Sequence, residues 1–398
     1  MARTRAARAW PFLVAGLLIA AQVAVLALWF PAHALMIDLQ VYREGGAAVL
    51  AGRPLYEGGI LLDLPFVYPP VAAALFVPLT LLPLPLLKVL WTALGVLLLV
   101  LVIRRAARLT GLPAPVGVVT LLVAAALWLD PVRTTFYLGQ INVLLLALVF
   151  LDLTGRSRFR GLGVGIAAAL KLTPLLFVVY LLLTGRRREA ATAVAAFVAA
   201  TGIGFLVAPA DSVQYWLRGT FAAANRISDV GGDSNHSVHG LVVRLGGGPV
   251  GYLVVGLLLG AAALWVARGL HRRGAEVEAL SLVGLASAAV APFAWSHHYV
   301  WFVPLLVALV ARGLAEYRGP AEKNGARRAW LATGLVLAAT AAVITRLPGP
   351  GVGPIPATGL ISLWPDAYVA AFVISCAALL PAARSGSART APTGSPPR

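Results

Sequence analysis

The sequence predicts an all-α polytopic membrane protein, a bundle of about ten to thirteen transmembrane helices with further helices lying along the outer membrane face. Hydrophobic residues make up 60% of the 398 residues, charged residues only 12%, and the mean hydropathy is +0.87. Soluble domains are about one quarter charged. Because each crossing needs about 20 apolar residues, little of the chain remains for a soluble domain.

The charge distribution argues against nucleic-acid binding and sets the orientation. The formal net charge is +17, but the basic residues fall in short clusters between apolar runs, as in cytoplasmic loops. These clusters are Arg104-Arg105, Arg156 to Arg160, Arg186 to Arg188, Arg272-Arg273 and Arg327-Arg328. The single cysteine, Cys376, lies in an apolar run, so no disulfide framework is expected.

The N-terminal residues 1–10 are rich in arginine and precede the apolar run Pro11 to Phe30, which predicts a cytoplasmic N-terminus. The tripeptide Ala32-His33-Ala34 is similar to a signal-peptidase site. The apolar run is longer than a usual signal sequence, so we expect an uncleaved span. Residues 31–68 then form the first outer loop, as one or two amphipathic helices on the membrane surface.

Two later stretches satisfy the charge rule only if they contain short helices. Two full crossings before Arg104 would put the first basic cluster outside, so we expect a re-entrant or half-depth helix at 69–82 and a span at 84–103. Residues 161–183 lie between two basic loops. They are expected to form two short helices that meet at Lys171-Leu-Thr-Pro174, with Lys171 deep in the protein.

The rest of the chain is predicted as spans joined by short loops. The spans are expected at 114–129, 139–153, 190–208, 250–267, 277–294, 299–311, 329–345 and 363–380. The second outer loop is 209–248, and shorter outer segments are 130–142 and 347–357. We expect one transmembrane domain at 11–381, followed by a disordered cytoplasmic tail at 382–398.

Most of the acidic residues and histidines map to the outer side in this topology. Transporters and proton pumps place ionisable groups near the membrane midplane, whereas here they gather at one face. This favours an outward-facing site. A transporter or flippase of a lipid-linked sugar is the alternative, and a non-catalytic membrane scaffold is a third interpretation.

Asp38 is the candidate catalytic residue. It follows the first apolar run closely, where a carboxylate is costly unless it is solvated, paired or functional. Our hypothesis is that Asp38 is the general base of a membrane-embedded glycosyltransferase. The alternative is that it caps the helix that follows.

The candidate phosphate ligands are Lys171 and the pair His297-His298, because ammonium and imidazole groups donate hydrogen bonds to phosphate oxygens. Lys171 has an alternative interpretation as a side chain that extends to the membrane interface, and the histidines as a solvated interfacial pair. Adjacent helical residues point about 100° apart, so only one histidine should face the cavity. Arg226 is a further outer cation.

A metal site has weak support in the sequence. His236 and His239 lie near Asp233 with ligand-like spacing, but glycines surround them and no HExxH motif is present. The sequence also lacks a Walker loop and a GxSxG motif. We expect no metal and no other cofactor.

A set of short motifs occurs in the order found in glycosyltransferase family 87. The motifs are Asp38-Leu-Gln-Val-Tyr42, Gly52-Arg-Pro-Leu-Tyr56, Tyr68-Pro-Pro70, Gly139-Gln-Ile-Asn142, Lys171-Leu-Thr-Pro174, Asn235-His-Ser237 and Ser296-His-His-Tyr299. From residue 11 to about 380 the chain resembles this family of polyprenol-phosphate-mannose-dependent α-mannosyltransferases of the GT-C class. It departs from the family pattern at His236, where a glutamine is expected.

The resemblance implies a GT-C type bundle in the bacterial plasma membrane, with an outward-facing cavity and an inverting transfer that forms an α-mannosidic bond of the α-1,2 type. The implied partners are a polyprenyl-phosphate-sugar donor, a glycolipid or glycan acceptor of the cell envelope, and membrane lipids. Asp38 is the implied base. The candidate donor-phosphate residues are Lys171, His297, His298 and Arg226, and the resemblance implies a role for one of the two histidines. The residues expected to bind the acceptor or the sugar are Tyr42, Tyr68, Gln140, Asn142 and Asn235.

Overall fold

The computed structural model describes residues 2–29, 35–223, 226, 228–316, 323–341 and 365–384. Within these ranges the chain is helical, and its strand-like geometry is limited to one isolated bridge between Leu61 and Leu64. The helices of the first half are α1 (Ala2–Trp29), α2 (Ile37–Leu50), α3 (Pro70–Phe76), α4 (Leu84–Thr110), α5 (Val116–Ala126), α6 (Asp130–Leu138), α7 (Asn142–Thr154), α8 (Leu162–Leu170) and α9 (Leu176–Leu183). The helices of the second half are α10 (Arg187–Val207), α11 (Pro209–Ser212), α12 (Val238–Arg244), α13 (Pro249–His271), α14 (Glu276–Ala289), α15 (Phe302–Glu316), α16 (Lys323–Ala341) and α17 (Ala367–Arg384).

The protein is a multi-pass membrane protein. Among the described residues, 6 helices are long and apolar enough to cross a membrane, and up to 7 if the bent pair α5 and α6 counts as one span. The predicted all-α class is confirmed. In the described residues, helices of spanning length are fewer than the predicted ten to thirteen because several apolar stretches form helices of 8 to 14 residues. Such helices are too short for about 30 Å of hydrocarbon.

The two predicted short-helix regions are present. Helix α3 continues into a 3₁₀ turn at Val77–Leu81 before the 27-residue α4 begins. Helix α8 ends at Leu170, Lys171 is extended, and a 3₁₀ turn at Thr173–Leu175 leads into α9. Pro174 lies in that turn, and because proline lacks an N–H it favours the break between the helices.

The predicted outer segment 130–142 is helical for most of its length, because α6 occupies Asp130–Leu138 and bends 79° from α5. Asp130 and Pro131 suit the first turn of a helix, where an acid and a proline are both favourable. Gly139, with φ of 71°, ends α6 in the left-handed conformation that glycine tolerates. The sharp corner between α6 and α7 brings Gln140 and Asn142 into the interior.

Helix α14 is the centre of the bundle rather than a lipid-facing span. Its residues from Val277 to Ala289 are all buried, which explains why its sequence is apolar on every side. It packs against α13, α15 and α17, and more weakly against α9. The turn at Ser296–Tyr299, which follows α14, is thereby held inside the protein.

The basic segments converge at one end of the bundle. Arg105 of α4 donates to Thr154 at the end of α7, and Arg186 donates to the Leu153 carbonyl. Arg186 also pairs with Glu276 at 2.7 Å between Nη1 and Oε1. Helix α7 has 13 residues and is roughly 20 Å long, so Asn142 at its start is far from this basic end.

Several predictions fall partly or wholly outside the described residues. They are the tripeptide 32–34 with the start of the first outer loop, the ends of the predicted spans at 329–345 and 363–380, the outer loop at 347–357, and most of the tail at 382–398. The second outer loop is described for most of its length and contains α11, a π-helical turn at Val213–Leu217 and α12.

Candidate active site

Asp38 lies in the first turn of α2 and faces the protein. The residue that begins this helix is Met36, which has left-handed backbone angles (φ 56°, ψ 41°) and forms no side-chain cap. The Met36 N–H donates to the Tyr137 carbonyl at 2.7 Å. The alternative interpretation of Asp38 as a helix cap is therefore wrong. The strained start of α2 aims the Asp38 side chain toward the α6–α7 corner.

Gln140, at that corner, is the direct partner of Asp38. Its Nε2 donates to Asp38 Oδ2 at 2.8 Å, from 102 residues away in sequence. The corner approaches α2 closely, since a Cβ on Gly139 would lie 2.8 Å from the Cβ of Leu39. A glycine at this position lets the chain turn and lets the two segments touch.

Tyr42 and Tyr68 complete the network on the other side of Gln140. The Tyr42 hydroxyl donates to Gln140 Oε1 at 2.8 Å, the Tyr68 hydroxyl lies 3.3 Å from the same oxygen, and the two hydroxyls are 3.0 Å apart. Both rings are buried, with exposed fractions of 0% and 5%. In this structure both hydroxyls contact Gln140, and the predicted role of the two tyrosines in binding the acceptor or the sugar stays a prediction.

Lys171 brings a positive charge to the same cluster. Its Nζ lies 2.7 Å from His298 Nε2 and 3.4 Å from Asn142 Oδ1, and 5.9 Å from the centre of the Tyr68 ring. The break between α8 and α9 gives this side chain its position. Lys171 therefore does not extend to a membrane interface; it points toward the Asp38 cluster.

The two adjacent histidines have different surroundings. His298 contacts Lys171, whereas His297 stacks on Trp295, with ring centres 6.1 Å apart and an interplanar angle of 12°. His297 is buried and His298 is half-buried, with its ring nitrogens inside the protein, so the interpretation as a solvated interfacial pair is wrong. His298 is the histidine that faces the cavity.

Buried polar atoms without a hydrogen-bond partner surround Lys171. Within the described part of the chain these are Asn142 Nδ2, His297 Nε2 and His298 Nδ1. A buried donor or acceptor left unpaired costs about 1 to 3 kcal/mol. Such atoms clustered beside a lysine are suited to a ligand with several oxygen atoms, and phosphate is one.

Two cavities reach this cluster from different sides. One, of about 360 Å³ including its open part, is lined by Asn142, Thr173 and His298. The other, of about 350 Å³, is lined by Gln140 and by apolar residues of α4 and α6. Mostly apolar walls with a few polar groups are typical of ligand-binding sites in proteins.

Burial raises the pKa of the Asp38 carboxyl from 3.8 to about 6, while the hydrogen bond from Gln140 and the charge of Lys171 oppose the rise. A carboxyl group with a pKa near 6 is a stronger base than an ordinary aspartate. It is still ionised at neutral pH. Both properties suit a general base.

Arg226 and Asn235 do not join the cluster. Arg226 Nη2 donates to the Tyr56 carbonyl at 2.9 Å. Asn235 is fully buried, and its amide binds the backbone at Val230, Ser237 and Ala294. Both side chains hold loops together, and the phosphate role of Arg226 and the sugar role of Asn235 stay predictions.

A second buried polar group near the site was missed from the sequence. Asp130 pairs with Arg133 at 2.9 Å and accepts from Tyr368 at 2.7 Å between hydroxyl and Oδ2. The pair lies on α6 at i and i+3, a spacing that predicts contact. Asp130 is therefore occupied in joining α6 to α17.

The weak metal hypothesis gains no support. In the ranges that the structure describes, no group of three His, Cys, Asp or Glu side chains is placed to hold a metal ion. His239 stacks on Tyr252, with ring centres 4.2 Å apart. The His236 Nδ1–H donates to the Pro365 carbonyl, 2.9 Å away.

The fold and the site together define a membrane-embedded enzyme with an acid, a lysine and a histidine, all at least half-buried, in one cluster of polar side chains. Comparison with known proteins supplies the particular family. The sequence profile of glycosyltransferase family 87 matches residues 66–292, and the chain belongs to this family. It contains Tyr68, Gln140, Asn142 and Lys171 within the matched residues, whereas Asp38 and His298 lie on either side of them.

Several bacterial relatives are similar over most of the chain. A polyprenol-phosphate-mannose-dependent α-(1-2)-phosphatidylinositol mannoside mannosyltransferase of Mycobacterium tuberculosis is 38% identical over 301 residues, which are 69% of this chain and 70% of the relative. The corresponding protein of Mycolicibacterium smegmatis is 40% identical over 309 residues, 68% of this chain and 69% of the relative. An α-(1-2)-phosphatidylinositol pentamannoside mannosyltransferase of Mycobacterium tuberculosis is 36% identical, covering 75% of this chain and 70% of the relative.

No solved structure matches this chain. The predictions of the family and of a mannosyltransferase are confirmed by the profile and the relatives. The competing transporter and scaffold interpretations have no observation in their favour.

Proposed function

We propose that this chain transfers mannose from a polyprenyl-phosphate-mannose donor to a phosphatidylinositol mannoside acceptor, forming an α-(1-2) bond on the outer face of the bacterial plasma membrane. The names of the relatives support the donor, the acceptor class and the linkage. The observation that carries the proposal is the convergence of Asp38, Lys171 and His298, from three distant segments, on one buried cluster.

Asp38 is the general base. Its Oδ2 is held by Gln140, while Oδ1 has no hydrogen-bond partner among the residues that the structure describes. The acceptor hydroxyl donates its proton to Oδ1 as its oxygen attacks the anomeric carbon of the donor. An in-line displacement on a β-linked donor inverts that carbon and gives the α product.

Lys171, His298 and Asn142 bind the leaving phosphate. The Lys171 ammonium group supplies a charge-assisted hydrogen bond, and the Asn142 Nδ2 atom supplies a neutral one. His298 accepts from Lys171 in the empty cluster through Nε2, which leaves an N–H on Nδ1 to donate. Negative charge grows on the phosphate as the bond breaks, so donors placed in advance lower the barrier.

The location on the outer face is supported by the charge asymmetry of the bundle. The basic loops meet at one end, and Asn142 and the cluster lie at the other end of α7. Under the positive-inside rule the basic end is cytoplasmic. A donor whose lipid tail stays in the bilayer and an acceptor glycan in the aqueous phase therefore meet at the opposite face.

The test is transfer of mannose in vitro from synthetic polyprenyl-phosphate-mannose to a panel of phosphatidylinositol mannosides. Asp38→Asn keeps the shape of the side chain and removes the base, so turnover should fall by roughly 10² to 10⁴ while donor binding persists. Glu44→Gln is the matched control, because Glu44 lies on the same helix and makes only long ion pairs, of 3.8 and 4.0 Å, at the surface.

The same assay tests the proposed phosphate site with separate variants. Lys171→Met should weaken donor binding or turnover by roughly ten- to hundredfold, the effect of about 1.5 to 3 kcal/mol for a charged hydrogen bond. Lys88→Met is the control, since Lys88 Nζ contacts only the Leu35 carbonyl at 3.0 Å. Full activity of both Asp38→Asn and Lys171→Met would overturn the proposed site.

A further inference from the structure

Gln140 is held by buried polar groups at both ends of its amide. On one side its oxygen accepts from Tyr42 at 2.8 Å and lies 3.3 Å from the Tyr68 hydroxyl; on the other its Nε2 lies 2.8 Å from Asp38 Oδ2. The Ile141 N–H adds a contact to the Tyr42 hydroxyl at 3.4 Å. Asp38 is the member of this group with an oxygen left free for a substrate.

The direction of these hydrogen bonds follows from the donors present. An amide turned the other way would place its oxygen 2.8 Å from a carboxylate oxygen, with no proton between them. The two tyrosines each have one hydroxyl proton to give, and both hydroxyls lie near Gln140 Oε1. When Tyr68 donates to Tyr42 and Tyr42 donates to Gln140, the three successive hydrogen bonds from Tyr68 through Tyr42 and Gln140 all point toward Asp38.

We propose that Gln140 is a positioning residue for the base: Tyr42 and Tyr68 lock its amide so that Nε2 occupies Oδ2 of Asp38 and leaves Oδ1 to take the acceptor proton. This inference rests on the proposed role of Asp38. It reassigns Gln140, which the sequence predicts to bind the acceptor or the sugar. Hydrogen bonds aligned in one direction polarise one another, so the tyrosines strengthen the contact that Gln140 makes.

The charge state of Asp38 provides the readout. The groups that face it are Gln140, the hydroxyls of Tyr42 and Tyr68, and the ammonium of Lys171. The Gln140 N–H favours the ionised carboxylate, as a hydrogen bond to a charged form does. Its loss raises the pKa of Asp38, so the base becomes protonated at a higher pH.

The experiment compares kcat and KM, from pH 5 to pH 9, for wild type, Gln140→Met and the double variant Tyr42→Phe with Tyr68→Phe. Gln140→Met keeps the length of the side chain and removes the amide. We expect kcat to fall roughly ten- to hundredfold, with little change in KM for donor or acceptor. The acid limb of kcat should move to higher pH by about one unit or more.

The double phenylalanine variant keeps both rings and frees the amide to rotate. It should show the same changes as Gln140→Met in smaller measure. Tyr252→Phe is the matched control, because it removes a tyrosine hydroxyl that donates to the Val290 carbonyl at 2.9 Å, outside the cluster. Its kinetics and its acid limb should equal those of wild type.

Other outcomes would overturn the inference. A large rise in KM for either substrate with an unmoved acid limb would mean that Gln140 binds sugar directly. If Gln140→Met has the kcat of wild type and the same acid limb in its pH profile, Asp38 needs no positioning by Gln140. Failure of the proposed function is recognised separately, since Asp38→Asn would then be active whatever Gln140 does.

Discussion

At the scale of single residues, the site is a set of buried polar side chains that the surrounding protein does not fully satisfy. Asp38 keeps one oxygen without a partner in the described structure, and polar atoms of Asn142, His297 and His298 are buried without partners there. Such groups reduce the stability of the empty protein. Because these atoms lie near Lys171, we interpret them as groups that form hydrogen bonds with oxygen atoms of the substrate.

The pH dependence of transfer follows from the raised pKa of Asp38. The ionised carboxylate is the base, so activity is present above about pH 6 and is lost as the pH falls through about 6. Below that value the rate should fall about tenfold per pH unit. The measurement is kcat over KM between pH 5 and pH 8, with thermal unfolding recorded at each pH.

A flat profile down to pH 5, with the protein folded throughout, would contradict a base with this pKa. The remaining activity of Asp38→Asn is the control, because a variant without the titrating group should lack the acid limb.

The residue roles were partly predictable from the sequence. Asp38 and Lys171 could be predicted because a carboxylate and an ammonium are costly near or within a membrane. A charged residue beside or inside an apolar run can be recognised from the sequence alone. The choice between His297 and His298 depends on which imidazole the fold turns toward Lys171. That residue lies 127 positions before His298 in the sequence, so the sequence alone does not predict the contact. Asn235 shares the polar character of a ligand, yet its buried bonds go to the backbone, which only tertiary structure reveals.

At the scale of secondary-structure elements, the site is assembled from the ends of helices. The start of α2, the α6–α7 corner, the break between α8 and α9, and the turn before α15 each contribute one or two of its side chains. Short helices place such ends inside the protein. The break at Lys171 was predictable from Pro174 and the flanking arginines. The sequence also predicts the end of a span at 129, but it does not predict the helix α6 that follows at Asp130–Leu138 or its 79° bend from α5.

Gly139 tests whether the contact between α2 and the α6–α7 corner matters. Gly139→Ala adds a Cβ within 2.8 Å of Leu39 Cβ at φ of 71°, so it should lower stability and push Gln140 away from Asp38. Gly111→Ala is the matched control, with the same φ of 71° and nothing within 4 Å of its Cβ. Both carry a left-handed penalty of about 1 to 2 kcal/mol.

We expect Gly139→Ala to lower both the unfolding temperature in detergent and kcat, and Gly111→Ala to lower the unfolding temperature alone. Equal kcat values in the two variants would show that the close approach at Gly139 does not set the geometry of the base.

At the scale of the whole molecule, charge asymmetry orients the bundle. The arginine-rich loops meet at one end through contacts such as Arg186 with Glu276 at 2.7 Å, and the cluster of Asp38 and Lys171 lies away from them. The sequence predicts this arrangement because the positive-inside rule depends on the Lys and Arg residues of each loop, and these are visible without tertiary structure. Which spans are full-length is less predictable, since buried and lipid-facing apolar helices share one composition.

Topology is tested with single-cysteine variants in a background that carries Cys376→Ser. A cysteine at Glu44, whose side chain is 32% exposed, should react with a membrane-impermeant maleimide in intact cells. A cysteine at the exposed Arg272 should react only after the membrane is permeabilised. The reverse pattern would place the Asp38 cluster on the cytoplasmic side and contradict the proposed face.

The long sequence separation between Lys171 and His298 also has a consequence for biosynthesis. The two residues are 127 positions apart, and chains grow at about 5 to 20 residues per second, so Lys171 is synthesised roughly 6 to 25 s before His298. During that interval the nascent chain carries a lysine at a helix break with its final neighbour still unmade. Insertion of this protein therefore passes through a stage at which Lys171 can contact only residues that precede it, such as Asn142, and the imidazole of His298 joins later.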